Sequence, residues 1–374
     1  MALKTVLVAD VPERPAVALP ITRLQPKGMV EMGRGASGFV VVGHRGKGMN
    51  ALASSDRRLM AVKENSVRSF NAAAQFPIDF IEFDVQVTKD DWAVIFHDNF
   101  ILTEEDGNID EKRVTDLTLE EFLSYGPQKE IGKMGKTLLR KAKDGRVLNW
   151  NVEDDDSLCT LQEAFQKVDS HLGFNIELKF DDDITYKEEE LTHALEVILQ
   201  VVSHHANARP IIFSSFHPDA AQLMRKLQSA YPVFFLTDGG CEVYNDIRRN
   251  SLDEAIKLCL ASGLQGIVSE ARGIFRNPSA ISRMKESNLH ILTYGQLNNV
   301  PEAVYMQHLM GINGVIVDLI EEITGVVSEF TSPAIRVDEN LSKSTVEEEQ
   351  ANKPNFSQLE LAFLLRLIPQ LVQH

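Results

Sequence analysis

Residues 80–98, FIEFDVQVTKDDWAVIFHD, carry two carboxylates and an imidazole at spacings that let them act together. Side chains of a strand alternate between faces, so Glu82, Asp84, Gln86 and Thr88 share one face. Ile81, Phe83, Val85 and Val87 share the other. Burying two carboxylates on one face is costly unless a cation or a donor offsets the lost hydration. The run Lys89-Asp90-Asp91 turns the chain, and a second apolar run, 93–96, ends in His97-Asp98. A hairpin about that turn returns His97 beside Glu82. A solvated edge hairpin has the same local pattern, so the wider sequence decides between the two.

Two more strand-like runs end in chemistry-bearing residues. Residues 39–43 lead into His44-Arg45-Gly46, and 174–178 contain Glu177, with Lys179 two positions on and on the same face. Later runs end at Ser214 and Phe216, Tyr294 and Asp318. Three carboxylates converging on a point suit a hard cation, Mg2+ or Ca2+, rather than zinc. Two histidines beside it, His44 and His97, can serve as general acid and base. Arg45 and Lys179 can hold and neutralise phosphate oxygens. The combination points to cleavage of a phosphate ester.

That convergence requires a particular scaffold. Eight strand-like runs, 39–43, 80–85, 174–178, 211–214, 233–236, 266–269, 290–294 and 314–317, alternate with amphipathic runs such as 191–202, 219–229, 252–261 and 301–309. Such alternation predicts an α/β fold, a (β/α)8 TIM barrel whose strand ends meet on one rim. An open doubly wound sheet is the runner-up. The return arm 93–96 is an antiparallel extra. Residues 99–157 are too long for an ordinary barrel loop and read as an insertion, a flap over the rim with 119–125 as its helix. Five lysines between Lys129 and Lys143 make part of it basic, a solvated face that could also guide an anionic substrate.

The 374 residues divide into a mobile leader (1–38), the barrel domain (39–330), and a tail (331–374) with a charged linker and an apolar helix over 356–372. That helix is expected to dock on its own barrel, with a partner, homo-oligomer or membrane-surface contact as the sharper reading. A net charge of −16 argues against nucleic acid as a partner. Three cysteines without a CxxC pair suit a reducing compartment. No apolar run reaches the roughly 18 residues that span a bilayer.

The segments VVGHRGKGMN, KENSVRSFNAA, FIEFDVQVTKDDWAVIFHD and GFNIELK resemble the glycerophosphodiester phosphodiesterase family, in the wording of its eukaryotic, plant-like intracellular branch. The resemblance runs from about Val40 to Val327. It implies that Glu82, Asp84 and Glu177 are metal ligands and that His44 and His97 are the acid/base pair. It makes Arg45 the phosphate contact and Glu64 a motif acid that orients these groups, with Asn65 and Lys179 lining the same pocket. Family members often carry Trp-Thr-Val-Asn on the seventh strand, whereas this chain has Thr293-Tyr294-Gly295-Gln296-Leu297-Asn298, so Tyr294 would offer the aromatic face to the glycerol. Glu64-Asn65-Ser66 stands for Glu-Asn-Thr, and Asp318-Leu319 ends the last strand where a proline is usual.

The implied substrate is a small glycerophosphodiester such as glycerophosphocholine or glycerophosphoethanolamine, hydrolysed to sn-glycerol 3-phosphate and an alcohol. Attack can come from the substrate's own glycerol 2-hydroxyl, through a cyclic phosphate, or from water. The alternative substrates are lysophospholipids or other lipid phosphodiesters. A barrel that binds phosphodiesters without turnover is the non-enzymatic reading. The implied location is intracellular, in the plastid (chloroplast) or the cytoplasm.

Overall fold

The computed structural model describes residues 38–127, 135–142 and 144–331. Strand β1 (Val40–Gly43) is followed by α1 (Val67–Ala73), β2 (Phe80–Val87) and the returning β3 (Ala93–Ile95). The segment after β3 contains β4 (Phe100–Glu105), β5 (Asn108–Arg113), α2 (Leu119–Leu123), β6 (Leu139–Lys141) and β7 (Val147–Asn149). Then β8 (Cys159–Thr160) and α3 (Leu161–Lys167) lead back to the alternating pattern. It continues with β9 (Gly173–Leu178), α4 (Glu188–His205), β10 (Ile211–Ser215), α5 (Pro218–Leu227), β11 (Val233–Thr237) and α6 (Leu252–Ser262). It ends with β12 (Gly266–Glu270), α7 (Ala271–Arg276), α8 (Ser279–Glu286), β13 (His290–Tyr294), α9 (Pro301–Met310), β14 (Gly314–Val317) and α10 (Ile320–Thr331).

The eight expected strands are all present and their sheet closes. Strand β1 pairs in parallel with β14 through Val42↔Ile316 and with β2 through Val42↔Phe80. Parallel pairing runs unbroken from β2 through β9 to β14, which makes the sheet a TIM barrel rather than an open doubly wound one. The leader lies outside the described residues except for Gly38, and so do the charged linker and the apolar 356–372 helix.

Alternation along the strands builds two cores. Val40, Val42, Phe80, Ile212, Phe234, Leu236, Val268, Leu292 and Ile316 fill the barrel interior. The odd-phase residues, among them Ile81, Phe83, Phe174, Ile176 and Ile267, face the helices. Inward positions near the C-terminal strand ends are polar instead: Glu82, Asp84, Asn175, Glu177 and Ser214 are all buried. The barrel is thus plugged with hydrocarbon below and carries its charges at one mouth, as this fold does when it houses a site.

The insertion is more sheet than helix. Strands β5, β4, β6 and β7 form a separate four-stranded antiparallel sheet. The Asp106-Gly107 turn between β4 and β5 has positive φ at both residues, the geometry of a tight hairpin. The expected 119–125 helix is present as the shorter α2, with Thr118 and Glu121 in a reciprocal capping box. Phe96, Ile101, Phe122, Trp150 and Leu158 give this layer its own buried cluster.

Phe174 ties the outer core together, with its ring 5.0 Å from both Phe83 and Phe165 and the Arg209 guanidinium 4.1 Å above it. Phe174→Ala should destabilise the protein by about 3–5 kcal/mol, read as a lowered denaturant midpoint at unchanged slope. A change below about 1 kcal/mol would show that the site collapses to fill the void.

Candidate active site

Alternation on β2 and β9 sets three acids on the inward face, and the register brings them together. Asp84 lies opposite Glu177, and Glu82 lies opposite Asn175. Carboxylate oxygens of Glu82, Asp84 and Glu177 lie within 4.8 Å of one another, the one such cluster among the described residues. Burial, and after it the charge of Asp84, pushes Glu82 far above the usual carboxylate range. Burial raises Glu177 as well, against the pull of Lys179. Asp84 goes the other way: burial opposes its charge, but His97, Arg45, Lys179 and the Asn65 amide hold it ionised. A hard divalent cation fits this trio, because every donor is oxygen and Asp84 Oδ1 is buried without a hydrogen-bond partner.

Cationic side chains flank the acids. Lys179 Nζ lies 2.9 Å from Glu177 Oε1 and 3.6 Å from Asp84 Oδ1. Arg45 Nε lies 3.4 Å from Asp84 Oδ2, while Arg45 Nη1 donates to Glu64 Oε1 at 2.8 Å. The backbone N–H of Arg45 donates to Glu82 Oε2 at 3.0 Å. Arg45 and Asn65 both adopt left-handed backbone conformations, φ 49° and 53°, and the Asn65 N–H bonds to Arg45 O at 3.0 Å. Such strain concentrates where side chains must be aimed.

Each histidine is held by its own aspartate. His44 Nδ1 donates to Asp318 Oδ1 and His97 Nδ1 to Asp98 Oδ1, both at 2.7 Å. A carboxylate at Nδ1 places the proton there and leaves Nε2 for chemistry. Burial disfavours the charged form of His44, but Asp318 more than offsets this and keeps its pKa above the ordinary value. Burial, then the charges of Arg45 and Lys179, depress His97 to about 4. Asp318 also accepts from the Met49 N–H at 2.9 Å and the Asn299 amide at 2.9 Å.

The expected residues converge, with adjustments. The Phe96 N–H bonds to Asp84 O at 3.0 Å, so the return arm brings His97 beside Asp84. It is His44 that approaches Glu82, Nε2 to Oε2 3.9 Å. Glu64 is buried against the Arg45 guanidinium, and Asn65, expected to line the pocket, is buried beside Asp84, where its Nδ2 donates to Asp84 Oδ2 at 2.9 Å. Tyr294 lies on the wall and donates to Asp238 Oδ1 at 2.6 Å. His217 caps α5 by accepting from the Ala220 N–H and packs against the Phe180 and Tyr186 rings.

A cavity of about 700 Å³ opens over the site, lined by His44, Arg45, Glu82, His97, Glu177 and Tyr294 among others. A neighbouring cavity of about 500 Å³ shares His97, Glu177, Phe216 and Asp238 with it and adds Lys179. Sequence reasoning did not single out Asp98 or Arg140 as site residues, and it noted Asp318 only as a rim residue. Arg140 pairs with both Asp98 and Glu64.

Because Glu82 holds its proton well into the neutral range, a cation entering the trio must displace that proton. Mg2+ or Ca2+ binding should therefore release a proton at pH 7 and tighten as pH rises. Calorimetry in two buffers of different ionisation enthalpy reads this directly. Binding with no proton release and no pH dependence would contradict it.

Comparison with known proteins agrees with the geometry. Residues 44–322 match the model of the glycerophosphoryl diester phosphodiesterase family. The chain is 60% identical over 382 residues to the glycerophosphodiester phosphodiesterase GDPD2 of Arabidopsis thaliana, covering 100% of both chains. It is 58% identical over 375 residues to the chloroplastic GDPD1 of the same plant, again over 100% of both. A solved Oleispira antarctica phosphodiesterase, in complex with the product sn-glycerol-3-phosphate, shares the fold with a TM-score of 0.55. That likeness has 18% identity and covers 77% of this chain and 96% of the other. The chain therefore belongs to the glycerophosphoryl diester phosphodiesterase family.

Proposed function

We propose that this enzyme hydrolyses glycerophosphocholine, glycerophosphoethanolamine and similar glycerophosphodiesters to sn-glycerol 3-phosphate and an alcohol, with Mg2+ or Ca2+ held by Glu82, Asp84 and Glu177. The observation that carries this reading is the buried trio between two His–Asp dyads, with Arg45 and Lys179 beside it. When bound, the cation supplies positive charge that neutralises the phosphate and eases deprotonation of the attacking hydroxyl.

The remaining steps belong to side chains. Arg45 and Lys179 hold the non-bridging phosphate oxygens and stabilise charge as it builds in the transition state. His44 stands on the Glu82 side and His97 on the Asp84 side, each with Nδ1 held by its aspartate. One takes the proton of the attacking hydroxyl as its oxygen bonds to phosphorus. The other gives a proton to the alcohol oxygen as its bond to phosphorus breaks. Attack by the substrate's own 2-hydroxyl benefits from high effective molarity, with water then opening the cyclic phosphate.

A second substrate class is supported by one feature. Met49, Ala51, Leu52, Ala53 and Leu148 give the larger cavity an apolar wall that a glycerol unit alone does not need. An acyl chain would fit it, which keeps lysophospholipids as the alternative substrate. Among the described residues no helix is long and apolar enough to cross a membrane. The plastid or the cytoplasm is the proposed compartment, supported by the chloroplastic relative.

Metal-stripped protein should release glycerol 3-phosphate from glycerophosphocholine only after Mg2+ or Ca2+ is added back. Glu82→Ala and His44→Ala should each lower the rate by about 10²–10⁴-fold. Folded protein with no release under any cation would sink this substrate, and comparable turnover of lysophosphatidylcholine would favour the acyl-bearing class. Full activity on an analogue lacking the 2-hydroxyl would eliminate the cyclic route.

A further inference from the structure

We propose that Arg140, delivered by the insertion sheet, is a positioning residue of the active site, locking His97 and Arg45 by gripping the carboxylate that each is hydrogen-bonded to. The inference rests on the phosphodiesterase reading above. It gives the insertion a mechanistic part beyond covering the rim.

The grip is bivalent. Arg140 Nη2 donates to Asp98 Oδ1 at 3.0 Å, and Nη1 donates to Glu64 Oε2 at 2.9 Å. The Asp98 Oδ1 atom is the same one that accepts from His97 Nδ1 at 2.7 Å. Glu64 Oε1 is the atom that accepts from Arg45 Nη1 at 2.8 Å. One planar guanidinium thus joins two relays, one ending on the His97 imidazole and the other on the Arg45 guanidinium. A lysine would present one point charge and could not match both carboxylates with this fork.

The surroundings hold the guanidinium in place. Arg140 also donates to Asn50 O at 3.2 Å, and its guanidinium stacks 4.3 Å above the Trp150 ring. Trp150 is in turn pinned by donating Nε1–H to Asn50 Oδ1 at 2.9 Å. Strand β6 is registered to β4 through Leu102↔Leu139 and to β7 through Arg140↔Leu148, so the strand that carries Arg140 lies between two paired neighbours. The Arg140 side chain is 13% exposed and that of Glu64 1%, so the pairing is largely shielded from solvent. Without Arg140, Asp98 would keep only His97 as a side-chain partner among the described residues and could turn toward water. The imidazole would lose its fixed tautomer with it.

The test uses Arg140→Gln and Arg140→Lys in the full chain. Arg140→Gln should lower kcat on glycerophosphocholine by about 10–100-fold, the usual cost of losing such a support, with KM moved far less. Arg140→Lys should recover part of the loss. Long-range ¹H–¹⁵N spectra should show His97 protonated at Nδ1 in the wild type and a mixture of tautomers in Arg140→Gln. His44, held by Asp318, should keep its signature in both. An active wild type with unaltered kcat and an unaltered His97 spectrum in Arg140→Gln would overturn the assignment. Loss of both histidine signatures with a fallen Tm would overturn it too, by marking a scaffold role. An inactive wild type would instead defeat the proposed reaction, and the His97 spectrum would still decide the role of Arg140.

Discussion

Three buried carboxylates at one point are the constraint that the rest of this molecule answers. Like charges so close, in a medium that screens poorly, cannot all ionise unless positive charge is brought to them. The protein brings two cations, Arg45 and Lys179, and the result is uneven: Asp84 is held ionised while Glu82 and Glu177 are pushed up. The remaining deficit is what a divalent cation would fill. The barrel makes the arrangement affordable by placing hydrocarbon beneath it and the charges at one mouth.

Around that core the supports are layered. The histidines and Arg45 face the cavity, and Asp98, Asp318 and Glu64 accept their hydrogen bonds and set their orientation. Backbone geometry contributes as well. Gly48 has φ 108°, and a Cβ there would lie 2.5 Å from Asp318 O, so the loop after β1 packs directly on the turn that carries His44's partner. Elements far apart in the chain, β1 and β14, therefore cooperate on one imidazole.

Much of this was legible in the sequence. Period-two alternation assigns Glu82 and Asp84 to one face, and the repetition of strand-like and helix-like runs yields all eight barrel strands. The insertion sheet was harder to read, because β5, NIDEKR, is charged and largely exposed and lacks an apolar face that would mark it as a strand. Its Asp106-Gly107 turn was the available signal. The histidine partners were harder still. His44 and Asp318 are 274 positions apart, and nothing in either neighbourhood announces the pairing. Arg140 lay in a lysine-rich stretch whose solvated reading suits Lys136, which pairs with Glu105 at the surface, but not the arginine four residues on. Tertiary hydrogen bonds decide such roles, and periodicity does not encode them.

The central claim is that one divalent cation sits on Glu82, Asp84 and Glu177. Anomalous diffraction from crystals grown with Mn2+ tests it most directly. The account predicts one strong peak roughly 2.0–2.6 Å from oxygens of all three carboxylates, the range for hard-cation ligation. A fully occupied peak elsewhere, with these three side chains left unligated, would contradict it.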